Sequence, residues 1–432
     1  MQPSFYLKIY PGFDNPDQLL LYSTKKASLL LLGRAAWQDL AAGNLAADTA
    51  ATLERLQMIV PDREAEKRAM LALLDEQNPR NKGLHIVVVL NLDCNFACPY
   101  CFEEGVKGNL YMTEATAARL LAFIKEQWRD DKETLRLDFY GGEPLLSPDL
   151  IASISRPVKS FIEGKGGKYF FTLVTNGSLL TRQAAEKLAP LGLANVKVTL
   201  DGPAAVHNHS RPFKSGAGSF DAIVRNIKAV CDLVQVGIGG NFTRDNYEEF
   251  PLLLDYLMAE GLTPAQVGQI KFDPVMQQPQ NGSVSVEHTG GCLSINEPWI
   301  IEAEALLREA ILKRGYKTSK PAPLACMIET RDAYVVNYDG SIYKCPGFLG
   351  KKEFAVGSLE TGVGDYAAAF KLGIYKNPEC AACEYLPLCF GGCRYMAYVR
   401  EGNFDKVDCK RAYLDASLER LIKQDIKYRL QK

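Results

Sequence analysis

Three thiols fall within eight residues in Cys94-Asn-Phe-Ala-Cys98-Pro-Tyr-Cys101, directly behind the apolar run 86–90. A strand that empties into such a loop constrains the fold, because the loop must close around something the thiols share. Three thiolates suit three irons of a cubic four-iron cluster, whose full ligation takes four cysteines. A three-cysteine loop therefore leaves one iron open to a small molecule. A structural zinc site would instead use paired C-x2-C knuckles with a second pair or two histidines nearby. After Cys101 no His or Cys appears before His207 and Cys231. Pro99 and Tyr100 make this stretch a loop and not a packed face.

Composition decides which chemistry those thiols can serve. Twelve cysteines in a secreted chain would suggest disulfides, but the start, Met1-Gln2-Pro3-Ser4-Phe5, has no basic region followed by an apolar one. The cysteines are expected to be cluster ligands in a reducing cytoplasm. No apolar stretch approaches membrane-spanning length. The 50 basic residues nearly balance the 51 acidic ones, so no global field recruits nucleic acid or an anionic membrane. With 432 residues and 47% apolar content, two or three domains with a large core are expected.

From residue 84 apolar runs alternate with helical patterns, the signature of a parallel α/β arrangement. Strands are expected at 84–91, 135–140, 169–175, 195–200, 234–242 and 269–275. Helices are expected to begin near Thr113, Asp149, Thr181, Ser219 and Asn246. Six strands suggest a partial barrel with its site at their carboxyl ends. The second strand runs into Tyr140-Gly141-Gly142-Glu143-Pro144, where two glycines permit close backbone approach to a ligand ammonium and Glu143 can fix the strand end. The third ends in Thr175-Asn176-Gly177. The fourth ends in Thr199-Leu200-Asp201-Gly202-Pro203, followed by Arg211, whose planar fork of donors suits a carboxylate. Phe272 ends the sixth strand, either lining a pocket or packing in the core. Cys231 lies on the stripe Ile223, Val224, Ile227, Val230 and reads as a buried small hydrophobe. His85, His207, His209 and His288 show no metal-ligand spacing.

The first eighty or so residues form a separate unit. Residues 5–10 alternate in polarity, and 19–22 with 27–32 read as a hairpin. Three helical pieces follow: one over 35–42 stopping at Gly43, one capped by Asp48 with Leu53, Leu56 and Val60 on its stripe, and one after Asp62 with Ala65, Ala69 and Leu73 in register. Residues 78–83 read as a linker. At the other end of the chain seven cysteines recur as Cys326-x18-Cys345, Cys380-x2-Cys383-x5-Cys389-x3-Cys393 and x15-Cys409. A zinc ribbon accounts for four of them at best.

These motifs resemble those of the radical S-adenosylmethionine (SAM) superfamily. C-x3-C-x2-C with an aromatic before the last Cys is similar to its cluster loop, which implies Cys94, Cys98 and Cys101 as ligands and Tyr100 as the aromatic that meets the nucleoside. In that family the open iron chelates SAM, and one electron cleaves the sulfonium to methionine and a 5′-deoxyadenosyl radical. Gly141-Gly142-Glu143 resembles the motif that binds the SAM amino group. Thr199 and Arg211, by their spacing in sulfatase-maturing relatives, are implied as partners of its carboxylate, and Phe272 as a wall of the adenine pocket. The seven-cysteine pattern resembles the SPASM extension, which holds two auxiliary four-iron clusters. The resemblance assigns Cys380, Cys383, Cys389 and Cys409 to the distal cluster and Cys326, Cys345 and Cys393 to the proximal one, which is left a ligand short. Three strands followed by three helices resemble the winged-helix peptide-recognition domain in which a leader peptide pairs with an exposed strand.

The implied architecture is a partial (β/α)6 barrel over 83–290, an amino-terminal winged-helix-like α+β domain over 1–82 and a cysteine-rich SPASM extension over 291–432. The implied activity is maturation of a Cys-containing ribosomal precursor peptide with a leader, through thioether formation, since the chain resembles the geopeptide-type maturases. Flavodoxin or ferredoxin is the implied electron donor. No individual catalytic side chain is assigned. The rival, formylglycine formation, occurs in enzymes that carry an Asp just after the Cys equivalent to Cys345, where this chain has Pro346. A carbon-carbon crosslinking maturase is a further alternative.

Overall fold

The computed structural model describes residues 1–13, 15–276, 279–280, 283–284, 291–292 and 294–430. Its contacts divide the chain into two units. One joins Met1–Pro79 to Ser319–Thr330 and Ala369–Lys432, and the other joins Arg80–Thr318 to Arg331–Ala368. The expected boundary at 290, like His288, lies outside the described residues.

In the first unit the elements run β1 (Gln2–Pro3), β2 (Leu7–Pro11), β3 (Gln18–Ser23), β4 (Ser28–Gly33), α1 (Arg34–Ala42), α2 (Ala47–Arg55), β5 (Ile59–Val60) and α3 (Arg63–Gln77). Strands β2, β3 and β4 form an antiparallel sheet, and β1 pairs with β5. The hairpin lies where its apolar runs put it, with Tyr22 opposite Leu29. Gly43 ends α1 in the left-handed conformation. Three expectations are corrected. Asp48 sits in the first turn of α2, whose N-cap is Ala46. Val60 belongs to a strand, because β1 supplies a pairing partner from the start of the chain. On α3 the buried residues are Glu66 and Met70, while Ala65 and Ala69 are exposed. The stripe was displaced by one residue because Glu66 goes inward to accept from the Ser4 hydroxyl (2.6 Å), the Phe5 amide (2.8 Å) and Lys25.

Tyr6 and Met70 share a core with Tyr375, Leu386 and Phe390. Around it Lys8 pairs with Glu384 at 2.8 Å, Thr24 Oγ1 donates to the Glu384 carbonyl at 2.8 Å, and the Tyr22 hydroxyl donates to the Pro321 carbonyl at 2.8 Å. The amino-terminal elements thus share a unit with Cys326 and the cysteines from 380 to 409, while Cys345 belongs to the other unit.

In the second unit β6 (Gly83–Asn91), β7 (Thr134–Gly141), β8 (Lys168–Thr175), β9 (Leu193–Thr199), β10 (Gln235–Phe242) and β11 (Val267–Pro274) lie side by side in chain order, all parallel. Buried Ile86, Val88, Leu137, Phe139, Phe171, Leu173, Val196 and Val198 line the sheet, as near-continuous apolar strands covered by helices should. A short hairpin pairs β12 (Pro279–Gln280) with β13 (Ser283–Val284). Beyond β6 the sheet continues through β14 (Ala333–Val336), which is parallel to β6, then antiparallel β15 (Ser341–Tyr343), β16 (Gly357–Ser358) and β17 (Gly362–Val363). Asp332 anchors the start of β14: Arg129 donates to its two oxygens at 3.0 and 2.9 Å, and buried Lys132 reaches it at 2.5 Å.

Cys231 is corrected as well. It is the C-cap of helix Phe220–Val230, half-exposed, because the helix ends before its stripe reaches that thiol. Among the described residues no helix is long and apolar enough to cross a membrane.

Candidate active site

The loop after β6 is held from three directions. Its chain turns at Cys98–Cys101, whose backbone bond is 3.2 Å, and the Ala97 amide donates to the Pro212 carbonyl at 2.9 Å. Asn176, just past β8, donates its side-chain amide to Asn95 Oδ1 at 2.7 Å and to Cys94 Sγ at 3.8 Å. The turn after β7 closes the third side. A Cβ on Gly142 would be driven into the Asp93 carbonyl oxygen, so glycine is required there for contact between the two loops, before any ligand is considered. The Glu143 amide donates to Asp93 O at 2.8 Å.

Glu143 is fully buried, and its carboxylate accepts from the Leu145 amide (2.9 Å), the Thr175 hydroxyl (2.7 Å) and the Asn176 amide (2.8 Å). It therefore ties the end of β7 to the end of β8. Asn91 completes the tie by donating to the Glu143 carbonyl at 3.1 Å.

Cys94 and Cys98 are buried and Cys101 is half-buried. Burial pushes the Cys94 thiol up to about 11 and raises the other two, and the thiols feel one another's charge, Cys94 with Cys98 and Cys98 with Cys101. Among the described residues no three His, Cys, Asp or Glu side chains converge on a single-ion position. Three thiols grouped in one loop could hold three corners of a four-iron cube.

Beside the loop lies a buried polar network. The Tyr100 hydroxyl donates to Asp201 and accepts from Arg211 Nη1 (2.6 Å) and Asn241 Nδ2 (3.2 Å). The Asn241 amide donates to Asp201 Oδ1 at 2.7 Å. Burial pushes the Asp201 carboxyl up, against the opposing pull of Arg211 and Tyr100. Arg211 Nε has no partner, so one buried donor is left to bind something else. Thr199 ends β9 opposite Gly239. The Phe272 ring packs edge-to-face on Phe250 at 4.7 Å.

Asp201 and Asn241 were not singled out in the sequence. A lone acid in Asp-Gly-Pro and one Asn in a strand end carry no signal until the strands are side by side. Glu103 was missed too. It is buried with Oε1 unpartnered, and burial pushes its carboxyl up to about 7. Burial, with the charges of Glu103, Cys101 and Cys345 nearby, holds the Tyr140 hydroxyl well above its ordinary range.

The other unit carries six further cysteines, and none of the chain's twelve forms a disulfide. Cys380, Cys383, Cys389 and Cys409 act on one another electrostatically, as Cys326 does on Cys393. A Cβ on Gly392 would collide with the Asp408 carbonyl, and its positive φ of 76° also favours glycine. Asp408 then accepts from the Cys393 amide at 3.1 Å and from Arg400 at 2.6 Å. This brings Cys409 back to the loop that contains Cys389 and Cys393.

Residues 88–257 match the family described as the Radical SAM superfamily. A probable GTP 3′,8-cyclase of Saccharolobus islandicus is 29% identical over 190 residues, 44% of this chain and 56% of that protein. The chain thus spans little more than half the length of such curated relatives. An uncharacterized protein of Methanocaldococcus jannaschii is 26% identical over 308 residues, 70% of this chain and 96% of its own. Among solved structures, native anSMEcpe with bound AdoMet and Cp18Cys peptide gives a TM-score of 0.62 at 18% identity, covering 79% of this chain and 98% of that one. Streptococcus suis SuiB bound to the precursor peptide SuiA gives 0.54 at 14%, covering 94% and 98%. At these identities the likeness is one of fold.

Proposed function

We propose that this chain, whose residues 88–257 form a radical SAM domain, matures a ribosomally made precursor peptide by joining a Cys sulfur of the peptide to a carbon of an acceptor residue. The observation that carries this reading is the grouping of carboxyl-terminal thiols in the SPASM spacing, with Pro346 where formylglycine-forming relatives have an acid. Chains of this fold solved with peptides bound support a peptide substrate.

In this reading Cys94, Cys98 and Cys101 hold the SAM-binding cluster. Gly141 and Gly142 offer backbone to the SAM amino group, and Glu143 keeps that turn in place with its carboxylate. Arg211 and Thr199 receive the SAM carboxylate; Arg211 is oriented for this by Tyr100 and Asp201. Phe272 and Tyr100 border the nucleoside. With cluster and SAM bound, the site supplies one-electron cleavage of the sulfonium and removal of a hydrogen atom from the peptide. Cys380, Cys383, Cys389 and Cys409 hold one auxiliary cluster. Cys326, Cys345 and Cys393 would hold the second, which would offer the peptide thiol a position where coordination removes its proton and would take up the electron released when the carbon–sulfur bond forms. The amino-terminal domain binds the leader, and a flavodoxin or ferredoxin in the cytoplasm supplies the electron.

Anaerobic reconstitution tests the reading. The intact protein should bind about twelve irons and release deoxyadenosine from SAM; the Cys94→Ala, Cys98→Ala, Cys101→Ala triple variant should keep about eight and release none. A precursor peptide encoded beside the gene should lose hydrogen pairs and its alkylatable thiols together. Retained thiols would indicate carbon-carbon crosslinks, and an aldehyde would indicate formylglycine.

A further inference from the structure

Arg394 is wholly buried in the unit that carries Cys326 and Cys393. Its Nη2 donates to the carbonyls of Phe370 and, at 3.1 Å, Lys371. The Phe404 ring lies 5.6 Å from its guanidinium carbon. Nε and Nη1 have no hydrogen-bond partner. Glu329, the carboxylate whose charge it feels, is turned to the Gly373 amide, at 3.1 Å from one of its oxygens and 3.3 Å from the other. A buried guanidinium with two idle donors is costly, because both the charge and the N–H groups have left water without replacement. An unsatisfied buried group calls for an explanation, and a bound ion or prosthetic group is one. Besides Glu329, the acidic group acting on it is the Cys326 thiol, which also acts on Cys393, the residue that precedes Arg394 in the chain.

Those two thiols offer sulfur as an acceptor. A cluster on these thiolates is anionic and presents several sulfur atoms, whereas a lone thiol would use at most one weak acceptor. Hydrogen bonds to cluster sulfurs and nearby positive charge both stabilise the reduced, more negative form. The local chain is built to hold the residue: Gly392 and Asp408 fix Cys393 from one side, and helix Arg394–Glu401 starts at the arginine itself.

We propose that Arg394 is the outer cation of the cluster carried on Cys326 and Cys393, donating Nε and Nη1 hydrogens to its sulfur and raising its reduction potential. The inference rests on the auxiliary-cluster reading above and assigns Arg394 a positioning and tuning role, not a catalytic one.

The test uses the full chain with Cys94, Cys98 and Cys101 replaced by Ala, so that only auxiliary clusters report. Iron is counted first and should be about eight per chain. Fewer irons in that parent overturn the auxiliary-cluster reading and this inference with it. Potentiometry followed by electron paramagnetic resonance then compares the parent with Arg394→Met and Arg394→Lys. With iron retained, Arg394→Met should lower the equilibrium constant for reduction of one cluster at least tenfold, about 59 mV for one electron, and Arg394→Lys should lower it less. An unchanged potential with full iron in Arg394→Met overturns the inference. Should Arg394→Met fail to fold, the parent grown with 15N-arginine decides. A nitrogen coupling to the reduced cluster that disappears in Arg394→Lys supports the contact, and its absence in the parent overturns it.

Discussion

His207 accepts from the Asp201 amide through Nδ1 at 3.1 Å and meets the Ser219 hydroxyl through Nε2 at 3.0 Å, so it is a core residue that braces Asp201. Burial, with a smaller push from the Arg211 charge, depresses its pKa to about 3. The unfolded chain therefore binds a proton below about pH 6.5 that the folded chain refuses until about pH 3. Its contribution to stability is complete above pH 6.5 and is lost on acidification through that window, at up to about 1.4 kcal/mol per pH unit. Urea midpoints between pH 7 and pH 5 should fall less steeply in His207→Gln than in the parent. Cys292 is a second residue whose role follows from its surroundings. It is fully buried, its amide bonds the Val275 carbonyl at 2.9 Å, and its sulfur lies 3.3 Å from Met276 Sδ. Burial pushes the thiol up to about 12, and its contacts with Val275 and Met276 are those of a packed side chain. Cys292→Ala should keep about twelve irons, and a Cys-containing peptide should still perturb the cluster spectrum where its Cys→Ala counterpart does not. Loss of about four irons would make Cys292 a ligand. The grouping of Cys94, Cys98 and Cys101 was legible because the three lie within one loop; Asp201, Asn241 and Asp408 were not, because each acquires its partner from another segment.

Among the elements, helix starts governed by a neighbouring side chain could be read directly. Thr113 accepts from the Thr116 amide, Thr181 from Ala184 and Asp62 from Glu64 and Ala65, each capping the helix expected there. Replacing Asp62 by Ala should cost about 1 kcal/mol and speed hydrogen exchange in the first turn of α3 about fivefold, while Asn should preserve most of the protection. Equal exchange in Asp62→Ala would show that tertiary packing, not the cap, holds that turn. The six barrel strands were legible from their apolar runs. The four-residue strand β14 was not, because so short a run becomes a strand only when β6 offers its edge. The inward face of α3 escaped for a related reason: Glu66 is stable inside only because Ser4, Phe5 and Lys25 converge on it.

For the molecule as a whole, the grouping of residues 1–79 with 319–330 and 369–432 changes what a truncation should do. A chain beginning near Lys82 would lose Tyr6 and Met70 from the core around Tyr375, Leu386 and Phe390, and Lys8 from Glu384. Glu384 directly follows Cys383. Such a chain should therefore lose the irons of Cys380, Cys383, Cys389 and Cys409 as well as leader-dependent processing. It should keep the four of the barrel loop and slow SAM cleavage. Iron analysis of the truncated protein checks this, and retention of about twelve irons would show that the carboxyl-terminal loops need no support from the amino-terminal elements.

By itself the sequence determined the parallel α/β class, the six barrel strands, the caps at Asp62, Thr113 and Thr181 and the grouping of thiols by loop, because all of these act over a few neighbouring residues. Tertiary structure decided what burial and charge pairing decide. It put the Glu143 carboxylate on Thr175 and Asn176, packed Tyr6 against Tyr375 and Phe390, joined β14 to β6 and left Arg394 with two unused donors. Each of these depends on which distant segments meet, and the free energy of burying a polar group depends on the partner it finds there.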